Sequence, residues 1–357
     1  MKMSGKPNVT ISIWLLTLLI CLFCSGSLVY ADAGTSTGAT QTVTDMMGNT
    51  VQIPATIDRV ADFWNAHNEV VLMLGAGDKI VATTSIIHNM PMFNKVYPRI
   101  GTIPAPFDSS TKVVTLEDTI AVKPDIAILS DGMNKSADQL SSAGIPVVTL
   151  YFTTFEDLKK CFLLTGSILG GDAKTKAEKY NDYLDTKLSE IKDVTSKIPV
   201  DKKLSVLHIN SLKPLQVDGN KTLIDTWINV AGGTNAAGVD VSGNMKSVTF
   251  EQIQAWDPDV IIMMGTTADK ETIMNDPKWK DLKAVQDGKL FLNPKGVFYW
   301  DRYGAEEALQ IQWAAKTLYP ELFKDLDIKD VIKKFYNEFF NYNLTDDDID
   351  SIMNPTA

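Results

Sequence analysis

Two short runs of the sequence gather side chains suited to holding a solute rather than to making or breaking bonds. The first is Trp64-Asn65-Ala66-His67-Asn68. Trp64 offers a face for stacking, and Asn65, His67 and Asn68 offer hydrogen-bonding groups. The second is Val297-Phe298-Tyr299-Trp300-Asp301-Arg302-Tyr303. Arg302 suits a bidentate grip on a carboxylate or anionic chelate, with Tyr299, Trp300 and Tyr303 as stacking surfaces around it. His208 ends an apolar run and is a further candidate. Each has a plainer role open to it. Trp64 and Trp300 also read as packed aromatics, Arg302 as a structural ion pair with Asp301 or another acid, and His67 and His208 as hydrogen-bonded structural groups. His88 reads as a loop residue on the surface or at a cleft rim.

The usual signatures of catalysis are missing from the sequence. It has no Gly-x-x-x-x-Gly-Lys-Ser/Thr phosphate loop, no Gly-x-Ser-x-Gly elbow and no His-Glu-x-x-His pair. Gly75-Ala76-Gly77-Asp78-Lys79-Ile80 lacks the third glycine of a dinucleotide loop. No enzyme and no intrinsic cofactor is therefore expected, and a secreted enzyme stands as a weaker alternative. Another alternative is a site for a bare Zn²⁺ or Mn²⁺ ion, which needs several His and carboxylate ligands to converge. His67, His88 and His208 could meet only in the fold, so the metal ligands stay unknown. A structural or adhesive protein is a third.

Forty-four acidic against 34 basic residues give a net charge of -10. Without basic clusters this argues against nucleic acid as a partner. Lys2 and Lys6 precede an apolar run at 11–24, the length of a signal-peptide core. Residues 1–31 are accordingly read as a leader, with Ala31 or Ala33 closing the candidate cleavage sites. The protein is expected outside the cytoplasmic membrane. Cys21 and Cys24 follow Ile20 and Phe23, bulky residues that disfavour a lipid anchor. Beyond the leader only Cys161 remains, which forbids an internal disulfide. Its apolar neighbours make it a core thiol.

The elements that must position these residues follow an α/β rhythm. Residues 32–41 are small and polar and read as a flexible spacer. A hairpin at 43–53 follows. Short apolar strands then alternate with helices to about Tyr151, implying a mostly parallel sheet covered on both faces, and Phe155 to Ile168 mark a helix closed by Gly170-Gly171. Residues 172–197 carry Ala177, Tyr180, Leu184, Leu188 and Ile191 at helical spacing with no Gly or Pro. That spacing predicts one long helix. The α/β rhythm resumes after Pro199, and an amphipathic helix is predicted over 301–318.

Residues 115–126 align without gaps on residues 249–260, an offset of 134. Each copy opens with Thr, carries an acid or amide three residues later, and stops at Pro-Asp before an apolar strand. The spacing predicts a capping box and a short helix in both copies. The expected architecture is two Rossmann-like lobes, 42–170 and 199–357, joined by a connecting helix at 171–198, with the ligand cleft between the lobes.

With these features on view, the chain resembles the helical-backbone periplasmic binding proteins that serve ABC importers of iron-siderophores, haem and cobalamin. The carriers are Asp45-Met46-Met47-Gly48-Asn49, Glu69 to Gly75, and the paired Glu-to-Pro-Asp units, over about residues 42–353. The resemblance implies a monomer that captures a small-molecule metal chelate and docks on an ABC permease, whose ATPase is a separate subunit. It also implies that Glu117 and Glu251, one per lobe, meet permease arginines. The simpler reading of both is complementation of a helix dipole. Many relatives carry small residues where Trp64-Asn65-Ala66-His67 stand, which points to a smaller anionic or imidazole-accepting chelate.

Overall fold

The computed structural model describes residues 38–356 except 109. The leader, both of its cysteines and most of the spacer lie outside the described residues. The last spacer positions differ from expectation: Thr40 and Gln41 already belong to the strand Thr40–Thr44, paired antiparallel with Thr50–Pro54. Among the described residues no helix is long and apolar enough to cross a membrane.

The first half is built on a parallel sheet in the order Ile80–Ala82, Val60–Asp62, Ile126–Ser130, Val147–Leu150. A two-strand hairpin, Phe107–Asp108 with Val113–Val114, sits apart from it. The second half is mixed. Ser205–Leu212 pairs in parallel with Val260–Met263, which pairs with Leu290–Leu292. On its other edge Ser205–Leu212 turns back antiparallel into Leu215–Val217, followed by Lys246–Ser247, and Thr234–Asn235 adds a short parallel pairing.

The helix Ala173–Thr195 bridges the two sheets. Its 23 residues span about 35 Å at ~1.5 Å per residue. Its apolar face, Ala177, Tyr180, Leu184, Leu188 and Ile191, is buried. Strand alternation then divides the core. Val60, Ile126 and Ile128 of the first sheet share one continuous cluster with Val206, Val260 and Ile262 of the second, through that helix. Ala61, Ala127 and Leu129 face a separate cluster on the far side, as do Leu207, Ile261 and Met263. Pulling the halves apart would expose the shared cluster, at about 25 cal/mol per Å² of apolar surface.

The duplication holds in three dimensions. Lys123 and Asp257, 134 positions apart, both take left-handed φ, 45° and 37°, just before proline. Asp125 then accepts from the amides of Asp58 and Arg59, and Asp259 from that of Ser205. Each aspartate thereby pins the start of the adjacent strand. The capping box is only half present. Thr249 accepts from the Gln252 amide while Gln252 accepts from the Thr249 amide. Thr115 makes no side-chain cap bond, and its own amide donates to Pro106 O at 2.8 Å, so the reciprocal bond to Asp118 is absent too.

The predicted helix over 301–318 begins instead at Glu307 and ends at Leu318. Tyr303 is left-handed, φ 65°, and a Cβ on Gly304 would stand 1.9 Å from Glu69 Oε2, so residues 301–306 coil tightly against the first half. Nor is the helix amphipathic, since residues 307–315 are buried all round.

Candidate functional site

Asp62 ends a strand of the first sheet, fully buried, and organises the loop after it. One carboxylate oxygen accepts from the Trp64 amide at 3.2 Å, and the other lies 2.7 Å from His67 Nδ1. His67 Nε2 meets Thr165 Oγ1 at 2.8 Å. Asn68 donates to the Asp62 and Trp64 carbonyls, and its own oxygen accepts from Thr83. His67 and Asn68 are fully buried with these polar atoms turned inward, so they brace the loop. Burial raises the Asp62 carboxyl above its ordinary value, with His67 opposing the rise.

Trp64 is half-buried above this brace. Its ring stacks on His67 at 5.9 Å and meets Phe152 at 5.0 Å. Phe152 in turn lies 5.4 Å from the ring of Tyr303, so an aromatic chain crosses from one half to the other. Asn65, also half-buried, opens the helix Asn65–Met73 beside it.

In the second half the aromatic run divides. Trp300 is fully buried and donates Nε1 to Glu306 Oε1 at 2.9 Å. Glu306 also accepts from Tyr336 Oη and the Phe298 amide, and its own amide donates to Glu69 across the halves. Trp300 therefore anchors the segment and presents no face to the cleft. Burial raises the Glu306 carboxyl to about 7 against these hydrogen bonds. Tyr299 is half-buried and lines a cavity of about 350 Å³ with Asn210, Lys213, Met264, Asp269 and Thr272.

Arg302 and Tyr303 end the second run. The Arg302 side chain is 13% exposed, and its Nε donates to Met264 Sδ at 2.8 Å. Its Nη2 is buried without a hydrogen-bond partner among the described residues, 3.8 Å from Asp218 Oδ2, and the Tyr303 hydroxyl lies against the Asn244 side chain. Burial pushes the Tyr303 hydroxyl up, so it stays a proton donor.

His208 is fully buried between two carboxylates. Nδ1 is 2.8 Å from Asp218 Oδ2, and Nε2 is 2.8 Å from Asp301 Oδ2, the latter in close contact but poorly aligned for a hydrogen bond. Burial works against the charged ring, yet Asp218 and Asp301 outweigh it and raise His208 to about 9. It is an imidazolium at neutral pH. The three histidines have separate partners, since His88 Nδ1 sits 3.0 Å from Ile103 O. Among the described residues no three His, Cys, Asp or Glu groups converge as a metal site.

Glu117 and Glu251 are exposed in the first turns of Leu116–Ala121 and Phe250–Trp256. The Glu251 carboxyl is held below its ordinary range by its own amide and the Thr249 hydroxyl.

Sequence reasoning missed Asp218, Asn244, Met264 and Phe152. A turn signal, Ser211-Leu212-Lys213-Pro214, lay between the apolar runs at 205–209 and 215–217. Read as a hairpin, it would have returned Asp218 to His208. Nothing local marks the other three.

The periplasmic binding protein family model matches residues 64–296. The molybdate-binding protein MolA of Haemophilus influenzae is 26% identical over 353 residues, covering 90% of this chain and 95% of MolA. Its structure with molybdate shares the fold at a TM-score of 0.77, with 22% identity over 85% of this chain and 99% of MolA. The Fe(3+)-citrate-binding protein YfmC of Bacillus subtilis is 23% identical, covering 94% and 99%. A periplasmic solute binding protein from Veillonella parvula superposes at a TM-score of 0.76 with 30% identity, covering 88% of this chain and 97% of its own. The family match runs from the Trp64 loop across most of both halves, the bridge included, and with it this chain belongs to the periplasmic binding proteins, as the substrate-binding component of an ABC transporter.

Proposed function

We propose that the solute is a compact oxyanion, held by Arg302 with Tyr303 and Asn244 and covered by Trp64. The observation that carries this reading is the buried Arg302 Nη2, left without a hydrogen-bond partner among the described residues, in a segment whose Tyr303 hydroxyl lies against the Asn244 amide. A guanidinium fork matches an oxyanion bidentately, and the Tyr303 hydroxyl adds a donor. The Asn244 amide can turn to offer its NH₂. The Trp64–Phe152–Tyr303 chain narrows the cleft, which favours a small ligand. The name of MolA, molybdate-binding, supports the same class.

Calorimetric titration with molybdate tests the reading. Wild-type protein is expected to bind it, and Arg302→Ala to weaken binding about a hundredfold or more, as for removal of a buried charged partner. Wild-type affinity in Arg302→Ala would overturn it. A second reading keeps the larger anionic metal chelate, with Tyr299 and the 350 Å³ cavity beside Arg302 taking its organic part. The name of YfmC, Fe(3+)-citrate-binding, favours it. Tight binding of ferric citrate without molybdate binding would select that reading. In either case Glu117 and Glu251 are proposed to dock on the permease, so Glu117→Ala/Glu251→Ala should lower uptake and leave ligand affinity unchanged.

A further inference from the structure

The carboxylates around His208 face two cations at once. Asp218 Oδ2 is 2.8 Å from His208 Nδ1 and 3.8 Å from Arg302 Nη2. Asp301 Oδ2 is 2.8 Å from His208 Nε2 and 3.9 Å from Arg302 Nε. On each aspartate the same oxygen points at both cations, and the imidazole holds it closer.

The remaining oxygens are fixed from behind. Asp218 Oδ1 accepts from the Met245 amide at 2.7 Å. Asp301 Oδ1 accepts from Asn293 Nδ2 at 3.1 Å, and Gln310 holds the Asn293 oxygen at 2.7 Å. Neither carboxylate can rotate away without breaking a buried bond. Arg302 Nε is turned onto the Met264 thioether, a weak acceptor. Around this group stand the edge-on ring of Trp227, Tyr299, Tyr303, and Glu307, whose carboxyl burial raises well above its ordinary value.

We propose that His208 is a positioning residue that occupies both aspartates and so reserves the Arg302 guanidinium for the anionic solute. This rests on the reading of Arg302 as the anion-binding group. Two unoccupied carboxylates beside a guanidinium would claim it, because charge-assisted hydrogen bonds are the strong ones. With the imidazolium between them the four groups sum to zero charge. Arg302 keeps its position and its open donor. Above pH 9 the ring loses its proton, the cluster gains a negative charge, and an anion is repelled.

His208→Gln removes the imidazolium, and His208→Gln/Asp218→Asn/Asp301→Asn removes the competing carboxylates as well. Molybdate affinity is expected to fall about tenfold or more in the first variant. It should recover to within about threefold of wild type in the second, which a loss of packing alone would not do. The crystal structure of His208→Gln supplies a readout that needs no ligand. Arg302 should move from Met264 to hydrogen-bond distance of Asp301 or Asp218. Unchanged affinity in His208→Gln, no recovery in the folded triple variant, or Arg302 still resting on Met264 overturns the proposal. Wild-type affinity in Arg302→Ala instead defeats the reading of the site on which it rests.

Discussion

Asp62 and His208 stand at the same place in the two halves. Asp62 pairs in register with Ile128 and His208 with Ile262, and those partners are 134 residues apart, the offset of the repeat. Each sits in an Asp–His contact sealed from water. In the first half the imidazole closes the circuit on a threonine hydroxyl, and the cluster braces a loop. In the second half the far nitrogen meets another carboxylate, and a guanidinium lies within 4 Å of both acids. One strand position thus yields a strut on one side and a charge balance next to the cleft on the other. What differs is the count of charges around the ring, not the ring.

The largest expected effect comes from unbalancing the second cluster. Asp301→Ala leaves the buried His208 with one carboxylate and leaves Asn293 Nδ2 only the Pro294 carbonyl as acceptor. It should cost about 4 kcal/mol of stability by urea unfolding. His67→Ala leaves Asp62 buried with the Trp64 amide as its remaining side-chain contact and should cost about 3 kcal/mol. It disturbs only the Trp64 cover and should lower anion affinity less than His208→Gln does. A loss of affinity in His67→Ala as large as that in His208→Gln would erase the distinction between strut and balance.

The pH dependence sharpens it. The folded-state value of His208, about 9, lies above its ordinary value of 6.5. Its contribution is fully present below the unfolded value and is lost as pH rises through 9. The size is of order 3 kcal/mol between pH 7 and 10. Urea midpoints at pH 7 and 9.5 should converge in His208→Gln relative to wild type, and an equal drop in both proteins would remove His208 from the account.

The smallest effect separates the two repeat copies. Thr249→Ala breaks a full capping box and should cost about 1 kcal/mol, whereas Thr115→Ala removes no cap bond and should cost about 0.3 kcal/mol. Equal losses would mean that Thr115 caps its helix in solution.

Local pattern carried the bridge, the strands and the duplication. The run from Ala177 to Ile191 repeats at helical spacing with no breaker, and Pro-Asp forces a stop wherever it stands. Those signals act over a few residues, so they are written in the order of the residues. The aromatic and charged run at 297–303 was visible as composition, yet its division was not. Trp300 turns onto Glu306, and Arg302 rests on Met264 while His208, 94 positions earlier, stands closer to the two acids that both cations face. The residues themselves determined two α/β halves on a stiff helix. Only the tertiary structure decided which polar groups spend their hydrogen bonds on each other and which, like Arg302 Nη2, are left without a hydrogen-bond partner among the described residues. That choice depends on distances between distant segments that no local spacing encodes.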